Sequence, residues 1–395
     1  MRATRATVWG LVVLTAVLAG AGQAQEAETT GHTAAAWLDR AAAALADVPL
    51  EEDPYAKADL TFWIMKAETM AGRDERSAAL FGELQKASMM ITLQEADAWS
   101  SAFLPGGHLL AGRADEAQRA AENLAFDAAI HLDAWQILAE AADAAGDDAV
   151  YDDATAKMMA LIPKVTAEGV EAAKQEEMAY AGIGSAWYAG NTMRQRGDVE
   201  NLRRLATAGL TDPMEQAGVS AMLAQVELIG GDADAARAAL DKAFELTDLA
   251  AKRNHEDAEQ DTYWPEAANM LPEIVAAAWV LDGPEAAAAR GEAWGELFAD
   301  EGPQWECAAA LHAAEVLRQT RQAEAGRAAL TAAVAALDRE TEGLMFETVW
   351  TARELVLQGR ADEAEALAAI SGPAAFRSSI ALGVAEGLIV LDAAP

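Results

Sequence analysis

Apolar residues recur at steps of three and four along almost the whole chain. In VSAMLAQVELI, Val219, Met222, Leu223, Val226 and Ile229 fall on one helical face. In AARAALDKAF, Ala236, Leu240, Ala243 and Phe244 do the same. Between these stretches stand Gly230, Gly231 and Asp232. A glycine there ends the first helix in a left-handed cap, and the aspartate starts the second. The unit is therefore helix, glycine turn, helix. Alternating β patterns are scarce, and alanine, leucine and glutamate, all good helix formers, dominate.

The turn is repeated. A glycine followed by polar residues, with a small residue five positions on, occurs at Gly72, Gly112, Gly146, Gly197, Gly231, Gly283 and Gly359. TRQAEAGRAAL fits the same frame with Arg321 in the glycine's place. The small residue, among them Ser77, Ala117, Ala236, Ala288, Gly326 and Ala364, is expected where the second helix crosses the first. Tyr151 and Leu202 are the large exceptions. Successive frame residues lie 40, 34, 51, 34, 52, 38 and 38 apart. The intervals near 34–40 suit stacked helix pairs. The two long ones hold about half a repeat more, near Pro163 to Tyr180 and Ala250 to Pro265. Pro105, Gly106 and Gly107 read as a bend inside a helical segment.

The unit Met214 to Leu246 resembles the tetratricopeptide repeat family. Ala224, Gly231, Ala236, Leu240 and Ala243 stand at that family's small and apolar positions, and Pro213 approximates its closing proline. The resemblance spans roughly Asp53 to Ala394, and it implies a right-handed superhelix whose concave face binds proteins or peptides. The expected fold is all-α: an α-solenoid of about eight antiparallel hairpins over 53–371. An N-terminal segment with a capping helix (25–52) and a C-terminal capping helix (372–395) flank it.

Residues 1–24 read as a secretory signal peptide. Arg2 and Arg5 precede the apolar run Val8 to Gly20, and Gly22 and Ala24 suit cleavage. No second apolar stretch is read as a membrane span, so the expected mature protein is periplasmic or secreted and not inserted in a membrane. Without the leader the chain has 27 basic and 64 acidic residues, a net charge of −37. Such a surface repels phosphate backbones, which argues against nucleic acid as a partner. The one cysteine, Cys307, excludes an internal disulfide and reads as a buried small hydrophobe.

No catalytic signature is present: there is no GxSxG elbow, phosphate-binding glycine loop or HExxH pair. No metal or cofactor is expected. HEDAEQD, from His255 to Asp261, reads as a solvated acidic arm in the second long interval, with cation binding as its alternative. Trp63, Trp99, Trp135, Trp187 and Trp350 lie nine or more residues before frame residues and read as core, as does Met222. Tyr263 and Trp264 fall outside the frame. The expectation is thus an exported, non-enzymatic scaffold binding protein or peptide through the first helices, with Arg194, His255, Tyr263 and Trp264 as contacts. The alternative is an all-helical toroid acting on polysaccharide. Because like charges repel across this surface, the melting temperature should rise between low and moderate salt, roughly 10 to 200 mM, as screening sets in. A flat response in differential scanning fluorimetry would exclude a clustered acidic surface.

Overall fold

The structure, a computed structural model, describes residues 33–95, 99–174, 185–208, 210, 212–258, 270–295, 304–337, 345–369 and 372–393. It is an all-α solenoid, with eighteen α-helices and one 3-10 turn among the described residues. The leader, Tyr263 and Trp264 lie outside them. Helix α1 (Ala34–Ala46) precedes eight hairpins: α2 (Pro54–Met70) with α3 (Asp74–Glu95), α4 (Phe103–Leu110) with α5 (Ala114–Glu122), α6 (Ala128–Ala145) with α7 (Asp148–Lys174), α8 (Ser185–Arg196) with α9 (Val199–Ala206), α10 (Pro213–Ile229) with α11 (Ala233–Ala258), α12 (Leu271–Asp282) with α13 (Pro284–Gly295), α14 (Gln304–Gln319) with α15 (Ala323–Ala336), and α16 (Met345–Leu357) with α17 (Ala361–Ala368). Helix α18 (Ala374–Ala393) follows. The two long intervals are absorbed in part by α7 and α11, of 27 and 26 residues.

The glycine frame is a set of left-handed caps. Gly72, Gly112, Gly146, Gly197, Gly231, Gly283, Gly359 and Arg321 all have positive φ, and Arg321, at 62°, is the one non-glycine among the described residues to do so. At seven of the eight turns the next residue's N–H donates to the carbonyl four residues before the frame residue. Examples are Arg73 to Glu68 O (2.8 Å), Asp232 to Glu227 O (2.9 Å) and Gln322 to Leu317 O (2.8 Å). This bond satisfies a carbonyl that the helix end leaves open. Gly283 is the exception, and the cause is chemical: Pro284 follows it and has no N–H to donate. The chain there leaves with ψ at 163°, and α13 starts one residue earlier than its counterparts.

That one-residue advance corrects the spacing expected at the sixth turn. Ser77, Ala117, Ala236, Gly326 and Ala364 are buried five residues after their frame residue. After Gly283 the buried residue is Ala287, four on, while Ala288 is exposed. Tyr151 and Leu202 are buried at the same position, at 1 % and 0 % exposure. The Tyr151 hydroxyl lies 3.4 Å from Asp198 Oδ2, and Asp198 also caps α9 through the Asn201 N–H. The position is therefore defined by burial, with size set by the neighbouring hairpin.

The Pro105 segment is no bend. Pro105 lies in the first turn of α4, where a missing N–H leaves no helical bond unmade. Gly106 and Gly107 permit close packing: a Cβ on Gly106 would lie 2.7 Å from Phe62 and 2.8 Å from Ile137. Helix α4 is thus wedged between α2 and α6.

The first helices of the hairpins form a closed circuit. Each even-numbered helix packs on the next from α2 to α18, and α18 packs back on α2. The two caps meet instead of covering separate ends: α18 packs lengthwise on α1, as a ninth hairpin assembled from the two ends of the described chain. Ser378 Oγ donates to Ala41 O at 3.0 Å, and Arg377 pairs with Asp47 at 3.2 Å. Lys57 Nζ, 3.3 Å from Val48 O, also reaches Leu45 O at the end of α1. Against α16, Gly383 and Gly387 provide room that any Cβ would close, since one on Gly387 would lie 2.7 Å from Val356 Cβ. By length and composition α18 is apolar enough to cross a membrane, contrary to the sequence reading. Its apolarity is accounted for by burial between α1, α2 and α16.

The caps make a paired prediction. Nothing lies within 4 Å of a Cβ placed on Gly359, so Gly359→Ala should lose only the left-handed preference, about 1 kcal/mol. Arg321→Gly should relieve the same strain and, after the added freedom of the unfolded chain, gain about 0.5 kcal/mol. Thermal melts of both variants check the signs.

Candidate functional site

The inner faces of α2, α6, α8, α14 and α16 carry charge and aromatic rings into one region. On α2, Asp59, Trp63 and Lys66 follow at steps of four and three. Lys66 Nζ pairs with Glu140 of α6 at 2.9 Å and lies 4.6 Å from the Trp63 ring centroid. Gln136 Nε2 and Thr192 Oγ1 of α8 each donate to Glu140 Oε1 at 3.3 Å. Trp63 and Trp350 of α16 meet with centroids 6.3 Å apart, and His312 of α14 meets Trp350 at 5.6 Å. These tilted contacts are the geometry aromatic pairs favour.

Beside Trp350, a recess is lined by Arg194, Gln195, Leu311, His312, Glu315, Trp350, Arg353 and Glu354. It encloses about 350 Å³ of unfilled space, part of it open to solvent. Arg194 NH1 donates to Glu315 Oε2 at 3.0 Å, joining α8 to α14. Arg318 pairs with Glu354 at 2.7 Å, joining α14 to α16. Burial by itself would raise the Glu315 carboxyl, but Arg194, Arg353, Arg318 and His312 together override it and hold the group down to about 2. Burial raises Glu354, with Arg318 opposing. Burial lowers His312; Glu273, 3.5 Å away, and Glu315 oppose that, while Arg194 adds to it.

Asp59 is the proton-poised group of this face. Burial, then repulsion from Asp53 and Glu140, pushes its carboxyl up to about 7. A carboxyl that titrates near neutrality can give or accept a proton at working pH.

Arg194, expected as a partner contact, belongs to this region, with a side chain 5 % exposed and bonded to Glu315 and Asn191. His255 is on α11, but its side chain lies outside the described residues, as do Tyr263 and Trp264 entirely. Of the four, the structure places the side chain of Arg194 only. Among the tryptophans read as core, Trp135 is 1 % exposed, and Met222 is fully buried. Trp63, Trp187 and Trp350 are only half-buried. The side chain of Trp99 lies outside the described residues. Cys307 is buried, with its thiol pushed up to about 12 by burial. Among the described residues no group of three or more His, Cys, Asp or Glu is placed to hold a metal ion.

Asp59, Glu140, Glu315 and Arg353 escaped the sequence reading. Their one signal is a charge inside an otherwise apolar run, seen also at Glu273 in LPEIVAAAWVLD and Glu386 in IALGVAEGLIV. No protein-family model, no curated protein and no solved structure matches this chain.

The shifted carboxyls set the pH dependence of stability. Asp59 has a folded value above its unfolded one, so its contribution is full below about 4 and is lost as pH rises through about 7. Glu354 and Glu386 are shifted in the same sense. Glu315 works oppositely, and its contribution is lost as pH falls from about 4 towards 2. Stability should therefore increase as pH falls from 8 to 5. Asp59→Asn should remove part of that slope and gain roughly 2 kcal/mol at pH 8, about half of what a fully desolvated carboxyl raised to about 7 would imply. Urea denaturation at both pH values measures it.

Proposed function

We propose that this protein is an exported, non-enzymatic binding protein of tetratricopeptide-like build that takes a protein or peptide on the face formed by its first helices. The observation that carries the reading is that the first helices of three separate hairpins each carry incompletely buried aromatics, in two ring pairs. They are Trp63 on α2, Trp187 and Tyr188 on α8, and Trp350 on α16. Tyr188 is 47 % exposed and stands edge-on to Trp187 at 4.7 Å. Aromatic side chains offer large contact area at small entropic cost and are enriched in protein interfaces. The surrounding ion pairs fix their positions before any partner arrives, which lowers the ordering penalty of binding.

Chemistry is not required of this face. Glu140, Glu315 and Glu354 are each committed to a cation within 3.0 Å. Glycoside hydrolysis needs two carboxyls working on either side of one bond. The reading as an all-helical polysaccharide-acting enzyme is favoured by the closed circuit of helices and by Asp59 alone, which would serve as its acid.

The experiment is affinity capture from the native envelope with the mature chain as bait, alongside two variants. Trp350→Ala with Tyr188→Ala should reduce recovery of a defined partner at least tenfold, roughly 1.4 kcal/mol. Trp264→Ala with Tyr263→Ala tests the long-interval arm as the alternative contact. Equal capture by the Trp350/Tyr188 variant would remove the first-helix face from the reading. Release of oligosaccharide from envelope glycans, abolished in Asp59→Asn, would replace it with the enzymatic one.

A further inference from the structure

The recess between α8, α14 and α16 has one positive charge left over. Arg194 is paired with Glu315, and Arg318 with Glu354. Among the described residues nothing lies within hydrogen-bond or ion-pair distance of the Arg353 guanidinium, whose Nε is buried. Its charge acts on Glu315 and Glu386 only at longer range. A second buried polar atom on the same lining, His312 Nδ1, also has no partner, and the His312 side chain is 5 % exposed. A buried polar group left unpaired costs about 1–3 kcal/mol. Two around one cavity point to something that occupies it.

We propose that this recess binds a small organic monocarboxylate. Its carboxylate accepts from Arg353, a polar group on the adjacent carbon meets His312 Nδ1, and its apolar part rests on Trp350 and Leu311. A guanidinium offers the forked donors that match a carboxylate. Charge selects the valence. With Arg194 and Arg318 already neutralised, one spare cation balances one negative charge. A dianion such as phosphate would be repelled more strongly than a monoanion by the Glu315 carboxylate that lines the same space. Size selects a small molecule: much of the unfilled space opens to solvent and the enclosed part is small, so only a ligand of a few heavy atoms fits between the side chains. The site shares Trp350 with the aromatic face, but its charge chemistry does not require that face to dock a protein.

The test is calorimetric titration of the mature chain with lactate, its neutral counterpart lactamide, and inorganic phosphate. Lactate should bind and raise the melting temperature, whereas lactamide and phosphate should do neither. Arg353→Gln should weaken lactate binding tenfold or more, and Arg353→Lys less, because an ammonium keeps the charge without the fork. Arg353→Lys should melt within a degree or so of the parent when no ligand is present, because it keeps the charge that acts on Glu315 and Glu386 and breaks no hydrogen bond. Equal affinity for lactate and lactamide, unchanged affinity in Arg353→Gln, or no heat and no thermal shift with lactate up to roughly 10 mM (about 2.7 kcal/mol of binding free energy) would each overturn the site. The lactate and lactamide comparison uses only the unaltered chain, so it decides even if a variant fails to fold.

Discussion

Seven of the eight hairpins turn on the same short hydrogen bond, from the residue after a positive-φ position to a carbonyl five residues earlier in the chain. The bond demands a backbone that most side chains resist, and glycine supplies it at seven turns. Once made, it fixes where the second helix begins and hence which of its residues crosses the first. The sixth turn shows the dependence by exception. Pro284 cannot donate, the second helix starts one residue early, and the buried alanine moves by one as well. Architecture follows from whether one N–H exists.

The interior balances a second constraint. Helices packed on several sides have no single polar face, yet α2, α10, α12, α14, α16 and α18 each carry buried charge or its equivalent. Buried charges persist where they are paired and hydrogen-bonded. Here the pairing runs between hairpins: Lys66 to Glu140 and Arg194 to Glu315 join hairpins that are not neighbours in sequence, and Gln225 to Glu273 joins adjacent ones. Such links specify which helices meet more than they add stability, because desolvation offsets much of the attraction. They also leave Arg353 as the unmatched member of the group.

The hairpin architecture was legible because each turn is local. Eight frame residues, Arg321 included, could be recognised from spacing alone, and all have positive φ. The site was not legible, for a physical reason. Trp63 and Trp350 are 287 residues apart in the sequence, and their approach depends on small angles summed over six intervening first helices. A tryptophan nine residues before a turn looks the same whether its neighbour is core or cavity. Trp135 proved to be the first and Trp350 the second. Arg194 could be singled out but not interpreted, since its partner Glu315 lies on another hairpin.

The pairing of α1 with α18 alters how such an array can come apart. In an open stack each repeat depends on its neighbours alone, and unravelling starts at whichever end is weakest. Here the end helices bury each other, so neither frays without uncovering the other. The contact between Ser378 and Ala41 also has to wait until nearly the whole chain has emerged. Closure of the circuit is thereby coupled to synthesis of α18, whereas a linear repeat needs no such late contact. Since its two ends lie side by side, the same ring can in principle be joined there and opened at another turn, which makes the point of entry into the circle a matter of gene order more than of structure.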